Sequence, residues 1–213
     1  MKAPLYNLQL EQIGDIDLPK IFSTTSKAED KIIAQTLRVY RSNLRKAHAK
    51  SKTRAEIAGT TKKMWKQKGT GRARHSTAKA PIFVGGGRAH GPNGEQNFKL
   101  KLSKKSRKIA LGLLLNKFAK AKKISVVEKF GQLEPKTKTG MKFITGLMDK
   151  NKVLSESRRI GVITSQTNAN IRRSLRNIKN INLINLKSLN SLDLSQQHYL
   201  IFSKKAINEL NKF

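Results

Sequence analysis

Ile160-Gly-Val-Ile-Thr164 reads as a strand, and what lies on either side of it decides the fold class. Downstream come an Arg-rich helical stretch at Asn170–Ile178, strands at Ile181–Leu186 and His198–Phe202, and a final helix at Lys204–Lys212. Upstream lie a helical stretch at Lys138–Met148 and the β-branched run Ile124–Val127. Strand and helix in turn over about ninety residues require crossover connections, and these place the strands in parallel. Further upstream, Leu102–Lys122 opens at Ser103 and carries Ile109, Ala110, Leu113, Leu114 and Phe118 on one face. Asp30–Ala49 has Ile32, Ile33, Leu37, Tyr40 and Leu44 at helical spacing, and Ala3–Leu10 with Ile13–Leu18 reads as two short strands, a hairpin. The expected fold is α/β: a Rossmann-like body with a mainly parallel sheet flanked by helices.

Between the first two helices the pattern stops. Lys50–Lys101 has no sustained period, so the expected division is a body of residues 1–49 and 102–213 and an extended basic loop of residues 50–101. Charge follows the same division. Residues 1–40 hold five basic and five acidic residues, whereas residues 41–108 hold twenty basic residues against Glu56 and Glu95 alone. From Gly59 to Gly94 there are eight Gly, eight Lys or Arg, and no acid. Such a segment repels itself and has no local apolar cluster, so it is expected to be mobile alone and ordered on a polyanion. Disorder is the plain alternative for an aperiodic insertion of this length. The glycine sites Gly69-Thr-Gly71 and Gly85-Gly-Gly87 argue for specific turns and close approach instead, and Trp65, Phe83 and Phe98 offer stacking faces.

The whole chain carries 45 Lys and Arg against 13 acids over 213 residues, a formal +32 that calls for a polyanionic partner, nucleic acid before membrane. Apolar residues make up 37 %, enough for a core because they are concentrated outside the insertion. There is no cysteine, which removes disulfides and thiolate metal sites and fits a reducing compartment. The longest apolar run, Ile109–Leu115, is far short of a membrane span, and the acids near the N-terminus do not suit a transit peptide. A cytoplasmic protein with no membrane role is expected.

Catalysis finds no support. Gly69-Thr-Gly71-Arg-Ala-Arg74 begins like a dinucleotide fingerprint, but Arg74 replaces the third glycine and no strand precedes it. No phosphate-binding G-x-x-x-x-G-K-[ST] loop occurs. His48, His75, His90 and His198 lack metal-site spacing, and no serine sits in a nucleophile elbow. No catalytic residue, metal, cofactor or small-molecule substrate is expected.

Phosphate binding is what the insertion suits. Lys and Arg displace condensed counterions, glycines admit the backbone between packed helices, and aromatics stack on splayed bases. Arg72, Arg74 and Arg88 are candidates for specific grips, and Lys62, Lys63, Lys66 and Lys68 for charge neutralisation around Trp65. Arg45, Lys52, Arg54 and Lys79 complete the candidate RNA-binding set.

Lys52-Thr-Arg-Ala-Glu-Ile-Ala-Gly59, Lys62-Lys-Met-Trp-Lys-Gln-Lys-Gly-Thr-Gly-Arg-Ala-Arg74, Pro81 and Gly85–Gly87 resemble the large-subunit ribosomal protein L-four family. Ser103-Lys-Lys-Ser-Arg-Lys-Ile-Ala-Leu111 is similar to that family's helix after the loop, and Leu5-Tyr-Asn-Leu8 with Asp17-Leu-Pro19 fits its start. The resemblance implies a structural protein of the large ribosomal subunit that binds the subunit's RNA early in assembly and contacts several of its domains. It also implies a loop tip, here Lys63, Trp65 and Lys68, that lines the exit tunnel. The implied partners are large-subunit RNA, neighbouring ribosomal proteins and the nascent polypeptide. Two other readings remain open: a general nucleic-acid-coating or messenger-binding regulator, and a nucleotide-using α/β enzyme.

Overall fold

The run Ile124-Ser-Val-Val127 is buried at all four positions, and Tyr199–Ser203 at all five. Strands buried on both faces belong inside a sheet covered on both sides, and β-branched and aromatic residues pack best there. In the computed structural model, which describes residues 1–165 and 168–210, the elements run β1 (Lys2–Tyr6), β2 (Gln12–Asp17), α1 (Glu29–Leu44), α2 (Lys104–Lys120), β3 (Ile124–Val127) and α3 (Thr137–Lys150). They continue with α4 (Lys152–Ser155), β4 (Ile160–Thr164), α5 (Ala169–Leu175), β5 (Ile181–Asn185), α6 (Ser191–Ser195), β6 (Tyr199–Ser203) and α7 (Lys204–Leu210).

The fold is mixed α/β, a six-stranded sheet in the order β2-β1-β3-β6-β4-β5 with helices on its faces. β1 and β2 pair antiparallel, and every other neighbouring pair is parallel, with Leu5 opposite Val126, Ile124 opposite Leu200, and Ile160 opposite both Tyr199 and Ile181. On one face Leu113 and Leu115 of α2 pack with Phe22, Ile207 and Phe202. The Phe22 and Phe202 rings meet edge-on at 5.8 Å. On the other face Phe143, Ile144 and Leu147 of α3 join Ile171 and Leu175 of α5 against Val127, Val162 and Ile201.

Among the buried polar groups is a hydrogen-bonded cluster centred on Tyr199. The Tyr199 side chain is fully buried; its hydroxyl shares a 2.5 Å hydrogen bond with Ser125 and accepts from the Asn151 side-chain amide at 2.9 Å. Burial pushes the Tyr199 phenol up to about 12. Asn151 also caps α4, its carbonyl oxygen accepting from the Val153 amide at 3.1 Å.

Several expected boundaries move. α1 ends at Leu44 and not at Ala49. Ile109, expected on the inner face of α2, is 39 % exposed, while Gly112–Asn116 are buried without a break because the helix is covered on more than one side. α5 closes at Leu175, short of Ile178. The last residues of the expected C-terminal helix, Asn211 and Lys212, lie outside the described residues. The chain divides into two compact units, Met1–Arg41 with Lys101–Phe213, and Ser42–Leu100.

Candidate nucleic-acid interface

Ser42–Leu100 contains most of the cationic candidates. Beyond the end of α1 it has no helix or strand, only an isolated antiparallel bridge between Lys50 and Asn93. Its order comes from tied limbs. At the base, the Ser42 hydroxyl donates to the Phe98 carbonyl at 2.6 Å, and Asn43 exchanges two hydrogen bonds with the Leu100 backbone, at 2.7 and 3.2 Å. The Arg45 guanidinium lies 4.0 Å above the Phe98 ring, a cation–π contact that engages one face of each.

Above that, the Ser51 amide donates to the Pro92 carbonyl at 2.8 Å and the Arg88 amide to the Lys52 carbonyl at 2.9 Å. The Gly87 amide donates to the Lys79 carbonyl at 2.9 Å. Gly87 is buried here, and a Cβ on it would sit 2.2 Å from the Arg54 nitrogen. Only glycine allows the backbones this close.

Farther along, Gly69 and Gly71 take positive φ, 82° and 63°, and turn the chain back on itself. The Met64 amide donates to the Ser76 carbonyl at 3.2 Å, and the Trp65 indole N–H to the Ala73 carbonyl at 2.9 Å. His75 stands between two rings, edge-on to Trp65 at 5.7 Å and to Phe83 at 4.9 Å. No buried apolar cluster forms in this unit, but three part-exposed rings ten and eight positions apart meet, a spacing that no periodicity scan detects. From sequence His75 stands out only as a potential metal ligand; in the fold its contribution is packing.

Arg45, Lys52, Arg54, Lys62, Lys63, Lys66, Lys68, Arg72, Arg74 and Arg88 are all exposed, and Trp65 and Lys79 are half-buried. The structure brings Arg72 to 5.8 Å from the Trp65 ring and holds the Lys63 ammonium on the Gln67 amide oxygen at 2.6 Å. None of the eight cations between Gly59 and Gly94 pairs with a carboxylate among the described residues. Of the unit's two acids, Glu56 is tied down locally. The Thr53 amide and hydroxyl donate to its carboxylate and hold it below the usual range, and Lys50 and Lys52 add to the effect. Sequence reasoning missed Ile82 and Val84, which are exposed at the turn before Gly85. Their only signal was two apolar residues bracketed by Pro81 and the glycine triplet.

Among the described residues no cluster of His, Asp or Glu is placed to hold a metal, and no helix is long and apolar enough to cross a membrane. Unpaired cations on glycine turns, in a chain whose other unit is an α/β body, define a basic protein built to face a polyanion. Residues 16–213 match the model of the ribosomal protein L4/L1 family. The chain is 33 % identical over 213 residues to the large ribosomal subunit protein uL4 of Pelagibacter ubique (strain HTCC1062), spanning 100 % of this chain and 99 % of that protein. It is 35 % identical over 196 residues to that of Mesomycoplasma hyopneumoniae (strain 7448), spanning 92 % and 88 %. For that of Natranaerobius thermophilus the identity is 30 % over 212 residues, spanning 99 % and 98 %. The chain belongs to the ribosomal protein L4/L1 family, whose members are structural and non-enzymatic.

Proposed function

We propose that this chain is a structural constituent of the large ribosomal subunit that binds the subunit's RNA early in assembly through Ser42–Leu100. The observation that carries this reading is the set of eight cations without one acid between Gly59 and Gly94, on limbs tied to each other by backbone hydrogen bonds. Each cation that replaces a condensed counterion adds salt-sensitive affinity. Arg72, Arg74 and Arg88 grip phosphate or stack on bases, Arg45, Lys52, Arg54, Lys62, Lys66 and Lys79 neutralise the backbone, and the unit reaches more than one RNA domain. Lys63, Trp65 and Lys68, around the Gly69–Gly71 turn, form part of the wall of the tunnel that the nascent polypeptide follows. Neighbouring large-subunit proteins complete the partners, and no small molecule or membrane is needed.

The test is co-sedimentation of the full-length protein with large subunits at moderate salt, followed by mapping of protein–RNA crosslinks. Co-migration with the large subunit and crosslinks from the Lys62–Arg74 stretch are expected. Equal, purely salt-controlled binding to any duplex would replace this reading with that of a general nucleic-acid coat.

A further inference from the structure

A second feature lies entirely on the body. Beside the start of α2 is a cavity of about 510 Å³, with an apolar floor that includes Leu111, Leu186 and Leu189, and with Tyr40 in its wall. The volume is within the range of ligand sites, about 300–1,000 Å³. Lys104, Arg107 and Lys187 stand around it, and no Asp or Glu is among the described residues that line it. None of these three pairs with a carboxylate among the described residues.

The start of α2 makes the charge pattern sharper. Lys104-Lys-Ser-Arg-Lys108 places cations at the positive end of the helix dipole, with no acid in the first turn. That sign opposes what a helix start favours. α1 shows the usual arrangement, opening on Glu29 and Asp30. A 17-residue helix that begins with the wrong charge beside an apolar cavity is a surface kept for an anion that brings its own flat apolar group.

We infer that this cavity receives one unpaired nucleotide of the ribosomal RNA. The base enters over Leu111 and Leu189 beside the Tyr40 ring, and its flanking phosphates rest on Lys104, Arg107 and Lys187. RNA is recognised sequence-specifically at such splayed nucleotides, by stacking combined with phosphate contacts. An apolar floor suits a planar base, and the separate cations Lys104, Arg107 and Lys187 suit a phosphodiester chain. This inference rests on the reading of the partner as ribosomal RNA and adds to it a nucleotide-sized site outside Ser42–Leu100.

The absence of cysteine allows a single-thiol test. A photocrosslinker is attached to full-length Lys187→Cys, and to Lys142→Cys on α3 at the opposite sheet face, and each protein is bound to transcribed large-subunit RNA. Lys187→Cys is expected to give adducts at one unpaired nucleotide, and Lys142→Cys only background. Filling the cavity with Leu189→Trp, or reversing the rim with Lys104→Glu and Arg107→Glu, should cut the site-specific adduct about tenfold, the order expected for one lost base stack. Far-UV circular dichroism verifies that each variant is folded. Adducts scattered over many nucleotides, or site-specific adducts that persist in folded Leu189→Trp, overturn the inference. So does crosslinking to a neighbouring protein and not to RNA in whole subunits. If RNA crosslinks from Lys62–Arg74 persist while the Lys187 adduct is absent, only this inference falls; if both are absent, the RNA-binding reading falls with it.

Discussion

The indole N–H of Trp65 donates to the carbonyl of Ala73 at 2.9 Å, joining two residues eight positions apart across a turn made by glycines at positive φ. That bond and the Trp65–His75–Phe83 ring chain tie together a highly charged segment that has no buried core of its own.

His75→Ala removes both ring contacts, each worth about 0.5–1.5 kcal/mol and here toward the low end because the rings are half-exposed. Trp65, the single tryptophan, should shift its emission to the red. Trypsin cleavage within Lys62–Arg74 of the free protein should run about two- to fivefold faster, as a small rise in the open population implies. Unchanged emission and cleavage would show that the ring chain holds nothing together.

Gly87→Ala forces a Cβ against the Arg54 backbone, which cannot step aside as a side chain would. A cost of about 1–3 kcal/mol, the usual price of overpacking, should part the limbs locally. Hydrogen exchange at the Arg88 amide, which donates to Lys52, should accelerate while the amides of β3 and β6 keep their protection. Equal loss of protection in both places would mean that the two units do not unfold separately.

Tyr199→Phe leaves Ser125 and Asn151 without their shared partner in the interior and should cost about 1–3 kcal/mol. It should also change the alkaline limb of stability. The folded phenol titrates near 12, above its ordinary value of 10.0, so the unfolded chain loses the proton first. Stability from this group is full below pH 10 and falls by up to about 1.4 kcal/mol per pH unit as the pH rises toward 12. Urea midpoints measured across this window should therefore fall more steeply for the wild type than for Tyr199→Phe; parallel curves would place the phenol in contact with water.

Charge reversals separate two tasks within the turn. Lys63→Glu and Lys68→Glu should still enter large subunits yet change sensitivity to tunnel-binding antibiotics or the stalling of regulatory nascent peptides. Arg72→Glu together with Arg74→Glu should instead slow assembly, and the loss of two phosphate contacts should lower the salt slope of RNA binding by about 1.4–1.8. Fully incorporated Lys63→Glu and Lys68→Glu proteins with normal drug response and stalling would confine the unit to anchoring RNA.

Elements whose cause is local were legible in the sequence. β3 and β4 were read residue for residue because runs such as Ile124–Val127 are dictated by burial on both faces, which favours β-branched side chains. Ser103 was legible as the start of α2 because its hydroxyl accepts from the Ser106 amide within the same turn. α1 was overextended because Arg45–Ala49 are acceptable helix formers. What draws Ser42 and Asn43 into other bonds is the backbone of Phe98 and Leu100, 56 and 57 positions away. α4 and α6 span little more than one turn, too short for a helical period to repeat, although Asn151 and Asn190 announce both as caps. Within the candidate interface the cations were legible by composition. The pairing of limbs and the ring chain were not, since their partners are fixed by glycine turns and not by spacing.

The strand order has a consequence for synthesis on the ribosome. β1 is made first, but its parallel neighbour β3 follows only after the whole cationic unit, and β6, which joins β3 to β4, is the last of the described strands to be made. The middle of the sheet stays vacant until then, because contacts this distant in sequence cannot close earlier. During elongation the positively charged segment therefore emerges before β3, β4, β5 and β6 exist, exposed to any nearby polyanion while the sheet is still unfinished.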